Sequence, residues 1–576
     1  MSGIDWTVLS LTLLGIIAYG LYKSRTSKDL DGYFLSNRSM PWYLVLLSIM
    51  GTQASAVTFL SAPGQAYTDG MRFVQYYFGL PLAMVVLCIT FVPLFSRLKV
   101  YTAYEFLEKR FDVKTRILTS FLFLLQRGLP TGISSEAPSI ILSSLLGWDI
   151  FLTNIVMGGL LIIYTVSGGA KAVAYTQQLQ FVIIFVGMFL AGYMIIHLLP
   201  NGVGFSDALR VSGASGKMNV ITSGTNGGHF DWSDKYNIWS GIIGGFFLAL
   251  SYFGTDQSQV GRYLTAKNST ESKLGLLING VVKVPMQFFI LLIGAMLFTF
   301  YQFKPSPVFH NRAVEQKAQQ TEYKDSLASI QSAYIIKNEK QGKLGLQYLD
   351  AFNAHNPDKT VALKDSIQSN NLELDSLRKS YKSFIKKALP LADNNDTNYI
   401  FLRFVIDYLP VGLIGLLIAI IFLAAWGSIA AALNSLASCT MIDFHRRYHN
   451  AAADVSEIQS KKEFRLSQYY TFGWGLFCIF VAQFAYKMGS LIEAVNVLGS
   501  LFYGVILGIF LVAFYVKSVG AKAVFWSAII TELIVVALFV LNQQGLLGLS
   551  FLWLNAVGAL LVVGFSLGFQ IIRKLF

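Results

Sequence analysis

Two charged residues stand in an otherwise apolar run, FLFLLQRGLPTGISSEAPSIILSSLLG. Arg127 and Glu136 are nine residues apart, about 13.5 Å along an unbroken helix, so they cannot pair directly, though Pro130 can kink the segment. An arginine at the bilayer centre costs about 2.5–3.5 kcal/mol on insertion scales, so its place needs a reason. Either Arg127 grips a solute carboxylate in bidentate fashion, or it satisfies the carbonyls of a broken helix. Glu136 is expected in a partly hydrated outer vestibule, with proton exchange as the alternative. Asp256, in GTDQ at 254–257, suits a helix cap or an inner gate. Lys283, two residues before Pro285, either snorkels or pairs with an acid or a solute. Asp407 is expected at an interface.

No catalytic constellation accompanies these charges. There is no Ser/His/Asp set and no metal cluster. GGAK at 168–171 is too short for a phosphate loop, and His445 and His449 sit in a basic loop, HRRYH. Cys88, Cys439 and Cys478 lie in or beside apolar runs, so neither a disulfide framework nor zinc is indicated. The expectation is no enzyme and no cofactor beyond a coupling ion.

The elements that must position these residues are membrane spans. Of 576 residues, 54% are hydrophobic and 13% charged; soluble proteins carry about 25% charged residues, so this chain cannot cover a water-exposed surface. The net charge of +13 does not point to nucleic acid, because Lys and Arg lie between apolar runs, where they set topology. Thirteen runs are long enough to cross, near 5–22, 41–62, 73–96, 117–146, 149–168, 176–199, 237–258, 275–302, 400–436, 466–487, 490–516, 521–542 and 548–572. Asp5 precedes the first run and Lys23, Arg25 and Lys28 follow it, unlike a cleavable signal. Alternate loops then carry the basic residues, among them Arg97, Lys99 and Arg116, then Arg262 and Lys267, then Arg446 and Arg447. The loops between them carry few, such as Arg72 and Lys487. This pattern predicts the N-terminus outside, the C-terminus in the cytoplasm, and a multi-pass protein of the plasma (inner) membrane whose partners are lipid and a small solute, with no protein partner implied.

Span 2 reads SIMGTQASAVTFLSAPGQAY, with Gly51 at the expected break and Pro63 and Gly64 near its outer end. Span 7, five spans on, reads GIIGGFFLALSYFGTDQSQVGRYL, with Gly241, Gly244, Gly245 and Gly254. Interrupted helices in corresponding places mark a midplane binding site in transporters built from inverted repeats, although glycine also serves close helix packing. Spans 2–6 and 7–11 would then be two five-helix repeats. The organisation expected is an extra helix and loop at 1–40, a first repeat at 41–199, an outer loop at 200–236, a second repeat at 237–516 holding a polar helical insert at 303–399, and two peripheral helices at 517–576.

The segments SNRSMPWY at 36–43 with SxxGTQASAVTFL at 48–60, VSGGAKAVAYTQQLQ at 166–180, GTDQSQVGRYLTAK at 254–267 and AAWGSIAAALNSLASCTMIDF at 424–444 together resemble the sodium/solute symporter family. The resemblance runs from about residue 5 to 516, without the insert. It implies an all-α membrane protein of about thirteen spans with a five-plus-five inverted repeat (LeuT-type) core. It also implies sodium-coupled uptake of a small polar organic solute by alternating access. Carried over to this sequence, the sodium ligands are the carbonyls of Gly51, Ala54 and Ala424 and the hydroxyl of Ser428. Two departures weaken that set: Gly427 stands where the family usually has a second hydroxyl, and Gln177 where members with a second ion often have aspartate. At most one ion is expected. Proton coupling, uncoupled transport and a transporter-derived solute sensor remain open. By the same resemblance the solute site draws on Gln53, Thr58, Gln75, Tyr76, Arg127, Tyr252, Phe253 and Asn496. Thr58 and Tyr77 replace the Gln and Glu of galactose carriers, so a sugar is not favoured over a carboxylate, an amino acid or sialic acid.

Overall fold

The computed structural model describes residues 1–24, 34–98, 100–390, 392, 394–448, 457–485 and 490–575. Arg25, Lys28, Lys99, His449 and Lys487 lie outside them. Among the described residues, seven helices are long and apolar enough to cross a bilayer. They are Met71–Leu98, Val173–His197, Ser269–Phe303, Leu413–His445, Leu491–Tyr515, Ala521–Gln543 and Phe551–Ile572. The pair Trp42–Gln53 and Ala56–Asp69, bent by 58°, makes an eighth. Gly3–Tyr19, Ile150–Val166 and Ser240–Gly254 are shorter apolar helices. The helices Val113–Ser134 and Glu457–Ala482 are more polar, since the first contains Gln126 and Arg127 and the second Glu463 and Arg465.

Several expected spans take a different form. The run 117–146 divides at Ser135 into Val113–Ser134 and Glu136–Leu146, which buries Glu136 instead of leaving it in a hydrated vestibule. The run 400–436 is not one span. A short helix Ile400–Tyr408 ends before Pro410, whose ring disfavours helix in the residue preceding it, and the spanning helix begins only at Leu413, after Gly412 at φ 91°. Residues 149–168 and 176–199 fall in one continuous helical stretch, Ile150–His197. Even so, the Tyr164 hydroxyl lies 2.9 Å from Thr176 Oγ1. Twelve residues of straight helix would separate them by about 18 Å, so the stretch doubles back and supplies two antiparallel spans.

The two interrupted helices break at different kinds of residue. Span 2 unwinds at Ala54 and Ser55, three residues after Gly51. Span 7 opens with a π-turn, Ser240–Gly244, continues as Gly245–Gly254, and unwinds at Thr255 and Asp256 before Gln257–Tyr263. Gly241 and Gly245 are not the break. They allow backbone contact with the 3-10 turn Met71–Tyr77, where an added Cβ would sit 2.1 Å from the Gln75 carbonyl and 2.6 Å from that of Tyr76.

The polar insert forms a helical hairpin, Lys324–Asn353 and Pro357–Ala388, with Leu327, Tyr334, Leu374, Tyr381 and Ile385 in its own small core. At its base Asp396 is fully buried, 2.8 Å from Arg378 and 2.9 Å from His310 Nδ1. Burial alone would raise the Asp396 carboxyl, but Arg378 and Lys382 hold it well below the usual carboxylate range. Burial pushes the His310 imidazole down to about 4 from an ordinary 6.5, against the pull of Asp396.

Gly241→Ala is expected to destabilise the protein by about 1–3 kcal/mol, the range for overpacking. A thermal unfolding series in detergent reads this, with Gly15→Ala, where a Cβ meets nothing within 4 Å, as the control. The insert base has a pH window of its own. A histidine with a depressed folded-state value leaves the unfolded chain binding more protons. Its stability is therefore full above pH 6.5 and falls as pH drops toward 4. Hydrogen-exchange protection at residues 378–390, corrected for intrinsic rate, should decline between pH 7 and pH 5 and stay level in His310→Gln.

Candidate functional site

A cavity of about 120 Å³ lies where the two interrupted helices meet Val113–Ser134, Leu413–His445 and Leu491–Tyr515. Its walls include Gln53, Thr58, Tyr76, Arg127, Tyr252, Phe253 and Asn496, so seven of the eight expected solute residues come together. Gln75 does not. Its amide donates to Thr222 Oγ1 and the Tyr236 carbonyl, both at 3.0 Å, and accepts from the Thr222 amide, which ties down the 200–236 loop. In a 3-10 turn successive residues point about 120° apart, and here Gln75 points to the outer loop while Tyr76 and Tyr77 line the cavity. Ligand cavities usually enclose about 300–1,000 Å³, so this cavity is small for a solute site.

Arg127 is the charged centre of the cavity. Its guanidinium lies 3.8 Å from Asp256 and 5.9 Å from the Tyr252 ring centroid, and its Nε has no hydrogen-bond partner among the described residues. Asp256 does cap its helix, accepting from the Ser258 amide at 2.8 Å. Its other oxygen accepts from Gln126 at 3.0 Å and faces Arg127. The partner of Arg127 is thus a carboxylate 129 positions along the chain, a pairing that span-by-span reading misses. Tyr503 was missed as well. It lines the cavity opposite Tyr252, ring centroids 5.9 Å apart, and its one sequence signal is a hydroxyl-bearing ring in an apolar run. Lys283 is fully buried, with its ammonium 5.6 Å from the Tyr77 ring centroid and no ion pair among the described residues. Asp407 pairs with Arg403 and lies 3.7 Å from Arg312, away from the cavity.

The break in span 2 frees two particular carbonyls. In an intact helix Gly51 C=O would accept from Ser55 N–H and Ala54 C=O from Thr58 N–H. Instead Ser55 N–H donates to Gln53 at 3.1 Å and Thr58 N–H to Ser55 at 2.9 Å. Both acceptors therefore lose their helix partners, and lipid offers no replacement donors. At the second break the corresponding orphan is closed by protein, since Tyr104 donates to the Thr255 carbonyl at 2.7 Å. Ser428 lines the cavity and donates to the Ala424 carbonyl at 3.0 Å, which leaves its own oxygen open as an acceptor.

The two departures in the ion set are in contact. Gln177 accepts from Ser48 at 3.0 Å and donates to the Gly427 carbonyl at 3.1 Å and to Thr52 at 3.3 Å. A Cβ on Gly427 would come within 2.6 Å of Gln180 Oε1. An uncharged amide thus bridges the first broken helix to Leu413–His445 at the place where an aspartate would leave a net charge.

A family model described as "Sodium:solute symporter family" matches residues 33–324 and 383–531. The chain is 24% identical over 565 residues to the sodium/sialic acid symporter SiaT of Proteus mirabilis (strain HI4320), a match covering 97% of this chain and 93% of that protein. It is 32% identical over 283 residues to the sodium-coupled monocarboxylate transporter 1 of Homo sapiens, covering 48% of this chain and 44% of the other. A solved structure described as the substrate-bound, outward-open state of a Na+-coupled sialic acid symporter superposes with a TM-score of 0.73 at 23% identity, over 100% of this chain and 98% of that one. The fold is that of an all-α membrane protein with a LeuT-type five-plus-five inverted repeat.

Ser428→Ala should raise the sodium concentration for half-maximal uptake about tenfold, the loss of one hydroxyl ligand to a charged group. Uptake titrated against sodium at fixed ionic strength measures it, and unchanged sodium dependence removes Ser428 from the ion site.

Proposed function

The chain belongs to the sodium:solute symporter family, and we propose that the solute it carries is a small organic carboxylate, bound by Arg127 and coupled to a single sodium ion. The protein is an integral, multi-pass sodium-coupled solute symporter that works by alternating access, and it is not an enzyme. What is proposed is the cargo, the residues that hold it and the ion count.

The observation that carries the proposal is the charge inside the cavity. Arg127 lines the cavity, and Asp256, buried 3.8 Å behind it, balances its charge. One sodium ion alone would leave a net positive charge in low dielectric, and one carboxylate alone a net negative charge. Together they restore neutrality, so each favours binding of the other. The Arg127–Asp256 contact is loose, and the guanidinium keeps its fork of donors for a second carboxylate. Tyr252, Phe253 and Tyr503 would pack the body of the solute. Gln53, Thr58, Tyr76 and Asn496 would supply its remaining hydrogen bonds. Gly51, Ala54, Ala424 and Ser428 would hold the ion, and the Gln177 amide bridge supports one ion rather than two. The basic loops support an N-terminus outside, a cytoplasmic C-terminus and placement in the plasma (inner) membrane, with the insert on the outer face.

Contacts on either side of the cavity would occlude it. On the outer side Tyr76 donates to Asn496 at 3.0 Å, and Lys235 pairs with Glu493. On the inner side the fully buried Asp443 pairs with Arg116 at 2.6 Å, and Glu108 joins Arg116 and Arg447 at 2.7 and 3.0 Å. Alternating access requires one set to release while the other holds.

One sodium with one monocarboxylate moves no net charge. Membrane potential then contributes nothing, and a tenfold sodium gradient supports about tenfold accumulation. A neutral solute would also draw about 2.3 kcal/mol from 100 mV. Proteoliposome uptake of N-acetylneuraminate, lactate, proline and galactose under a sodium gradient, with the potential clamped at zero or negative inside, is the deciding experiment. A carboxylate accumulated equally at both potentials, with a Hill coefficient for sodium near one, is expected. Arg127→Gln should abolish that uptake in protein that still folds. Galactose uptake retained in Arg127→Gln would overturn the proposal.

A further inference from the structure

A second and larger cavity, of about 520 Å³, lies between the insert hairpin and the membrane-embedded body. Its floor is Tyr67 and Thr68 at the end of Ala56–Asp69, together with Phe298 and Tyr301. Its roof is the hairpin helix Pro357–Ala388. Residues 325–382, which supply that roof, fall outside the two segments matched by the family model, so the cavity is an addition this chain makes to the shared fold.

The lining is cationic. Lys217, Arg378, Lys379 and Lys382 face the cavity, against Asp375 alone. Asp396, behind the wall, is already shared by Arg378 and Lys382. Lys217 has no salt-bridge partner among the described residues; its ammonium donates to the Thr68 carbonyl at 2.6 Å and sits 4.7 Å from the Phe298 ring centroid. Burial lowers the Lys217 ammonium from its ordinary value against the pull of Asp375 and Asp69, with a smaller like-charge repulsion from Arg378. Two buried donor atoms of lining residues, Asn371 Nδ2 and the Tyr301 hydroxyl, and one acceptor, Gln302 Oε1, have no hydrogen-bond partner among the described residues. A surplus of cations, unmet donors and a floor of aromatic rings suit an anion with an apolar body.

We propose that this cavity is a second, peripheral binding site for a carboxylate-bearing solute, which it holds at the outer face before the solute enters the central cavity. The inference rests on the reading that the solute is a carboxylate. The geometry supplies the route. Tyr67 in the floor and Thr58 in the central cavity lie on the same half-helix, nine residues or about 13.5 Å apart. Carboxylate captured above that helix is released next to the entrance that the Tyr76–Asn496 contact closes. Among the described residues Asp375 is the one acid lining the cavity, so binding there is expected to be independent of sodium.

Equilibrium binding of radiolabelled N-acetylneuraminate and lactate to the purified full chain, with sodium or with choline, tests this. The wild type should bind two equivalents of the transported acid. Arg127→Gln should keep one, independent of sodium, and the double variant Lys217→Gln/Lys379→Gln should keep one that requires sodium. In proteoliposomes the double variant should raise the KM for uptake severalfold with the maximal rate unchanged, and Lys217→Arg should restore it. A single equivalent in the wild type, or no binding of either acid to Arg127→Gln, overturns the peripheral site. Failure of the carboxylate reading itself would look different: Arg127→Gln would then transport a neutral solute at the wild-type rate.

Discussion

The structure depends on one constraint, that backbone cannot be left unpaired inside lipid. Span 2 violates it on purpose at Ala54–Ser55, where the Gly51 and Ala54 carbonyls lose their amides. The surrounding helices either complete those groups or leave them for a cation. The contrast with the second break makes the point. At Thr255 the exposed carbonyl is met by the Tyr104 hydroxyl, and Asp256 caps the helix that follows. The second break is closed at Thr255, although its Tyr252 and Gly254 carbonyls also lose their helix amides, whereas the first leaves the Gly51 and Ala54 carbonyls for a cation in the proposed reading. In the proposed reading a cation that completes them adds a tie between the first broken helix and Leu413–His445 beside the standing Gln177 bridge, and that added tie is the physical content of coupling.

Charge balance follows from the same constraint. A buried charge is costly unless it is paired; Arg127 in the cavity wall has Asp256 3.8 Å behind it, whereas Lys283 and Arg262 are buried with no ion pair among the described residues. The Gln177 bridge keeps a further charge out, and it also explains Gly427. A side chain at that position would have to displace the end of the Gln180 side chain. Two substitutions that read separately as lost ion ligands are therefore one packing solution, an amide bridge with a glycine opposite it.

The interrupted helices, the polar insert and most of the cavity wall were legible in the sequence, because each leaves a local mark: glycine and polar residues within apolar runs, or polar residues over a long stretch. The failures were non-local or depended on local geometry. Gln75 sits beside Tyr76 in sequence, yet the 3-10 turn sends it to the outer loop. Glu136 is buried because the helix divides at Ser135. The run 400–436 holds a short helix and a turn before its span, since Pro410 and Gly412 interrupt it. Tyr503 carried no signal beyond its hydroxyl.

By itself the sequence determined that the chain lives in a bilayer, where its helices weaken and which residues it can present for chemistry. Those follow from hydropathy, from charge and from backbone preference, all of which act over a few residues. Tertiary structure alone decided that Arg127 meets Asp256, that Gln177 fills the place beside Gly427, and that the insert closes over a basic cavity. These are contacts between groups tens to hundreds of residues apart. Nothing in local spacing encodes them, because they arise only when packed helices bring separate faces within hydrogen-bond reach.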